Sequence, residues 1–129
     1  MVIDTSAILT ILFNEPGSGV FNEKIAADTV RLMSAAAYLE ASLIIDTRLG
    51  YEGERDFKLF VAEAQIEVVP VTLEQAEVAL EGYRKYGRGH HPAGLNFGDV
   101  FSYALAKVAR EPLLFKGNDF RQTDITAVL

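Results

Sequence analysis

Apolar residues fall into short unbroken runs that alternate with longer stretches at helical spacing. Met1 to Ile3 is such a run and stops at Asp4, after which Ala7, Ile8, Ile11 and Leu12 recur as on a buried helix over Thr5 to Phe13. Pro16 and Gly17 punctuate the chain, and Val20, Phe21, Ile25 and Ala26 share one face of a second helix. Arg31 to Ser34 reads as a second strand. Leu39, Leu43 and Ile44 mark a helix from Ala35 to Leu49 that ends near Gly50, and Phe57, Phe60, Val61 and Ala64 mark another over Glu54 to Gln65. Ile66 to Val71 reads as a third strand, and Thr72 with Gln75 forms a capping box for a helix from Leu73 to Tyr86. Gly87 to Gly94, with three glycines, a proline and two histidines, reads as a surface loop. Asn96 then caps a helix from Phe97 to Arg110, which Pro112 ends before a last strand, Leu113 to Phe115.

Alternating strands and helices imply an α/β fold whose mostly parallel sheet is covered on both faces, with any site at the carboxyl ends of the strands. The length, 129 residues, suits one domain over 1–129, and 50% apolar residues suffice for its core. The absence of cysteine excludes a disulfide scaffold, thiolate zinc and a cysteine nucleophile. A net charge of −6 argues against coating nucleic acid by bulk positive charge, so any nucleic-acid contact is local. The start, MVIDTSAIL, has no basic leader, and the apolar stretch Leu32 to Ile45 is interrupted by Ser34, Glu40 and Ser42. The expectation is therefore a cytoplasmic location with no membrane partner.

Four acids stand where acids are costly. Asp4 follows the first strand and Asp119 the last, which places both at the carboxyl edge of the sheet, although each also suits a cap or a turn. Glu40 shares a helical stripe with Leu43, Ile44 and Thr47, the face expected to turn toward the core, where a lone carboxylate needs a partner. Asp99 comes three residues after Asn96, where it can complement the helix's positive end, yet it opens a helix that is apolar almost all round. Two carboxylates about 4 Å apart repel by roughly 4 kcal/mol at an effective dielectric of 20. A divalent cation relieves that repulsion, and an all-oxygen donor set favours Mg²⁺ or Mn²⁺ over zinc. Such a site suits hydrolysis of a phosphodiester by metal-activated water.

These residues in this order resemble the PIN-domain ribonucleases, and among them the VapC toxins of toxin-antitoxin pairs. The likeness rests on VIDTSAIL with Asp4 and Ser6, SAAAYLEAS with Glu40, LNFGDVFSYALAK with Asp99, and PLLFKGNDFRQTDI with Asp119. It implies a three-layer α/β/α fold, a four-acid site for Mg²⁺ or Mn²⁺, cleavage of an RNA substrate, a cognate antitoxin and a homodimer. Carried over by position, Asp4 and Asp99 ligate the metal directly, Asp119 completes the site, and Glu40 binds metal or orients the water. Ser6 supports the site through its hydroxyl, with Thr123 and Asp124 as candidates behind it. Asn118 departs from relatives that carry a second acid beside Asp119.

Arg84, Lys85, Arg88, His90 and His91 form the densest positive stretch. Arg84 and Arg88 are possible RNA contacts, though basic residues at a helix end also complement its dipole. Lys116 and Arg121 flank Asp119 and are better placed to meet a phosphate. Two other readings stay open: a catalytically silent module that keeps the acids as caps, and a phosphoryl-handling regulatory domain, which wants a second acid where this chain has Thr5 and Ser6. Apolar surface on Val20 to Ala27 or Phe57 to Ala64 would serve a dimer or a partner.

Overall fold

Four short strands frame the computed structural model, which describes residues 1–129: β1 (Val2–Ile3), β2 (Leu32–Ser34), β3 (Glu67–Val69) and β4 (Leu113–Leu114). All pair in parallel in the order β3-β2-β1-β4, with Val2 opposite both Leu32 and Leu113. Each expected strand is present but shorter than its apolar run. Parallel neighbours need crossovers, supplied by α1 (Thr5–Leu12), α2 (Ser18–Ala27), α3 (Ala35–Glu63), α4 (Leu73–Tyr86) and α5 (Asp99–Ala109). A 3₁₀ turn, Phe120–Gln122, follows β4.

Successive strand residues face opposite ways, and this alternation makes the three layers. Ile3, Met33 and Leu114 pack with α1, α2 and α3 through Ala7, Ile8, Phe21, Ile45 and Phe57. Val2, Leu113 and Phe115 pack with α4 and α5 through Ala79, Val100, Tyr103 and Leu105. No helix is long and apolar enough to cross a membrane.

The expected helix signals operate locally, with three corrections. Thr72 accepts the Gln75 backbone N–H, 3.2 Å, but the Gln75 amide donates to the Pro70 carbonyl, so only half of the capping box forms. Gly50, at φ +63 and ψ −152, breaks the helical path inside α3, where two helices were expected. The inward face of α3 is not the expected one. Ala37, Ala41 and Ile45 are buried at a spacing of four, whereas Leu39 is 58% and Leu43 60% exposed, and Thr47 is exposed. Small residues let α3 lie close to α1, where the Thr5 hydroxyl donates to the Ala37 carbonyl, 3.2 Å. The leucines therefore face outward.

Gly82 marks the contact between α4 and α5, since a Cβ there would stand 2.5 and 2.6 Å from carbons of the Tyr103 ring. Gly82→Ala should cost about 1–3 kcal/mol through overpacking, despite the better helix propensity of alanine. Thermal melting should read a fall of several degrees; an unchanged melt would mean that the two helices adjust freely.

Candidate active site

The strand order reverses direction between β1 and β4, because the chain runs outward from β1 through β2 to β3 and then returns to the other side of β1. Ligands of open parallel sheets bind outside the carboxyl ends of the strands at such a switch. Asp4 leaves β1 there. Its backbone N–H donates to the Leu114 carbonyl, 2.9 Å, which ties it to the end of β4. The carboxylate caps α1: Oδ2 accepts the Ser6 N–H at 3.0 Å and the Ser6 hydroxyl at 2.7 Å. Ser6 Oγ in turn accepts the Lys116 N–H, 3.0 Å, so one hydroxyl links Asp4 to the segment that carries Asp119. Asp4 is only 4% exposed.

Ser34 ends β2 and caps α3 by accepting the Ala36 N–H, 3.2 Å, which fixes where that helix starts and brings Glu40 to the same edge. Glu40 is half-buried, and its carboxylate lies against the backbone at Gly98. Asn96 and Asp99 make a reciprocal box at the head of α5: Asn96 Oδ1 accepts the Asp99 N–H at 2.9 Å, and Asp99 Oδ2 accepts the Asn96 N–H at 3.0 Å. Asp119 lies in the turn before the 3₁₀ helix, exposed and without a cap hydrogen bond. Phe120 beside it is buried against Phe115, ring centroids 5.2 Å apart, and anchors that turn.

Asp99 senses the other three acids. The Asp99 carboxyl is pushed up to about 6, first by burial and then by the negative charges of Asp4, Asp119 and Glu40, against the opposing Asn96 N–H. No basic side chain is paired with any of the four; the ion pairs involve Asp28, Glu111, Glu54, Asp124 and Glu15. Four oxygen donors with no protein counter-charge fit a hard divalent cation. No three of them stand close enough together to ligate an ion as placed, so chelation requires side-chain rotation. Asp119, exposed and uncapped, is free to make it.

The other candidates divide. Asp124 accepts from the Tyr103 hydroxyl at 2.9 Å and from Lys107 Nζ at 2.8 Å, and these partners hold its carboxyl below the usual range. It is committed to pinning the C-terminal segment on α5 and is not among the charges that raise Asp99. Thr123 donates to the Phe120 carbonyl, 2.6 Å, and shapes the same turn. Lys116 Nζ pairs with Glu15 at 3.2 Å, while the Arg121 guanidinium lies over the Phe115 ring and donates to the Leu129 oxygen. Arg84 and Arg88 are exposed; Arg88 borders a cleft of about 550 Å³ between α4 and α5, lined mostly by apolar side chains. That cleft meets the acid cluster only at Asn96. Thr5 and Gly98 also shape the site, and no spacing pattern marked either of them.

Residues 1–125 match the family model described as PIN domain. The chain is 51% identical over 128 residues to the protein named ribonuclease VapC of Mycolicibacterium smegmatis, covering 99% of both chains. Its fold superposes on Mycobacterium tuberculosis VapC20, a toxin described as cleaving the sarcin-ricin loop, with a TM-score of 0.79 at 17% identity over 98% of this chain and 97% of that one. A toxin-antitoxin complex from Klebsiella pneumoniae gives a TM-score of 0.70 at 18% identity, covering 95% and 92%.

Proposed function

This chain belongs to the PIN-domain family, in its VapC ribonuclease branch, and from that premise we propose that it is the endoribonuclease toxin of a toxin-antitoxin pair. Asp4, Glu40, Asp99 and Asp119 hold Mg²⁺ or Mn²⁺, and its work is done in the cytoplasm, where its RNA is. The observation that carries this reading is the shared electrostatics of the four acids: the charges of the other three help push Asp99 up to about 6, and none of the four has a basic partner. A chain of net charge −6 that presents acids to a polyanion repels it unless a cation intervenes.

When bound, the cation lowers the pKa of a water for in-line attack on phosphorus and offsets charge on the leaving oxygen. The protein's own groups supply position. Ser6 holds one oxygen of Asp4 and Asn96 holds one oxygen of Asp99, which leaves the second oxygen of each without a hydrogen bond and available to a cation. Glu40, on a different helix, is the carboxylate available to orient the water. Lys116 and Arg121 flank Asp119 and meet a phosphate by giving up Glu15 and the Leu129 oxygen, with Arg84 and Arg88 exposed on and beyond α4.

Purified chain should cleave RNA with Mg²⁺ or Mn²⁺ and stop on addition of chelator, and sequencing of new 5′ ends after induced expression should name the target. Cleavage undiminished by chelator would overturn the reading.

The partners of this reading are a cognate antitoxin and a second copy of the chain. On α2 and the second half of α3, Phe21, Ile25 and Phe57 point inward, while Val20 and Leu59 stay exposed, so both segments keep some apolar surface. Leu39 and Leu43 on α3, Leu80 on α4 and the 78% exposed Phe97 add to it. We expect light scattering to give twice the chain mass for the wild type and the single mass for Leu43→Arg with an unchanged fold; a monomeric wild type would remove the dimer.

A further inference from the structure

Gly98 occupies ordinary right-handed helical backbone, φ −66 and ψ −42, where any residue fits and glycine is among the weakest choices. Backbone conformation therefore does not account for it. Space does. A Cβ built at Gly98 would fall inside the 3.0 Å that real Cβ atoms keep, with Glu40 Cδ at 2.9 Å and Glu40 Oε2 nearer still. The Glu40 carboxylate sits in the space that any other residue at 98 would fill, against the backbone one residue before Asp99.

The glycines of the chain divide by what they leave room for. A Cβ at Gly82 would meet the Tyr103 ring and one at Gly53 would meet Leu49 and Ile45, which are packing contacts between apolar groups. Only at Gly98 is the neighbour a charged side chain. Glu40 and Asp99 come from different helices, and like charges brought together repel. Packing alone gives no reason to keep a carboxylate pressed toward a second one.

We infer that Gly98 is a positioning residue for the metal site: its missing side chain lets the Glu40 carboxylate reach the head of α5 beside Asp99. This rests on the reading of the four acids as metal-holding and adds a residue that is itself no ligand. The far end of Glu40 is flexible, so Gly98→Ala displaces the carboxylate and leaves the helix in place. The metal-free variant should then melt no lower than the wild type, because alanine favours the helix and separates two negative charges.

The test is a Mn²⁺ titration without RNA, read by the resonance of the free ion, on wild type, Gly98→Ala, Glu40→Ala and the double variant, with metal-free melting of each. Gly98→Ala should weaken Mn²⁺ binding about as much as Glu40→Ala does, on the order of tenfold. In the Glu40→Ala background Gly98→Ala should add nothing, because the group it displaces is gone. Unchanged Mn²⁺ affinity in Gly98→Ala, or an equal further loss in the Glu40→Ala background, overturns the inference. So does a lowered metal-free melt in Gly98→Ala that Glu40→Ala restores, which would make the contact one of packing. A wild type that binds no Mn²⁺ overturns the metal reading and this inference together.

Discussion

Asp99→Asn should abolish RNA cleavage, by about 10²-fold or more, while making the metal-free protein more stable near neutral pH. The two effects have one cause. The folded-state carboxyl of Asp99 titrates at about 6 against an ordinary 3.8, so the fold takes up a proton that the unfolded chain has already lost. A raised carboxyl pKa inverts the usual acid case: the wild type loses stability as pH rises from about 4 through 6, and that cost is complete above 6. Two units correspond to about 3 kcal/mol, and solvent screening at this partly exposed position reduces it to roughly 1–2 kcal/mol. Asparagine keeps an oxygen to accept the Asn96 N–H and removes the charge. Melting curves in chelator should therefore separate Asp99→Asn from wild type at pH 7.5, the variant higher, and bring them together near pH 4. A variant that melts lower at pH 7.5 would mean that Asp99 serves the fold as a cap and little else.

Asp4 should behave differently, because it is both site and cap. Asp4→Asn and Asp4→Ala should each lose cleavage by a similarly large factor, yet only alanine should destabilise the chain. Asparagine still accepts the Ser6 N–H that opens α1, whereas alanine forfeits the cap at about 1 kcal/mol and leaves the Ser6 hydroxyl without its acceptor. Residual activity in Asp4→Asn close to wild type would exclude Asp4 as a ligand, whatever the melting shows. Ser6→Ala, which removes the hydroxyl bond to Asp4 but keeps the backbone one, and unties Lys116, should fall between, with cleavage down about 10–100-fold.

The order of strands and helices was legible because buried parallel strands write themselves as unbroken apolar runs and helices as spaced ones. Asn96 and Pro112 stand at the two ends of α5, although the helix runs from Asp99 to Ala109 and not from Phe97 to Arg110, and Gly50 broke the path of α3. The facing of α3 was not legible. Leucine outweighs alanine in any reading of a stripe, yet the close approach to α1 admits Ala37 and Ala41, and the leucines go outside. Gln75 was misread for a related reason, since the Pro70 carbonyl competes for its amide and only the fold brings that carbonyl near. In the site, Asp4 and Asp119 could be placed because both follow strands that the fold makes neighbours. Asp124 could not, because the Tyr103 and Lys107 groups that claim it are 21 and 17 residues away. Gly98 was invisible as well: it falls inside the helix expected from Phe97, and only the Glu40 side chain reveals that space is what it provides.

The central claim is that Asp4, Glu40, Asp99 and Asp119 share one divalent cation. Crystals soaked in Mn²⁺ and measured at an energy where manganese scatters anomalously test it without reference to RNA or activity. The account predicts a single strong anomalous peak at the carboxyl ends of β1 and β4, within ligating distance of Asp4 and Asp99, with Glu40 and Asp119 turned toward it. A map with no peak there, or with manganese only on unrelated surface carboxylates, would contradict it.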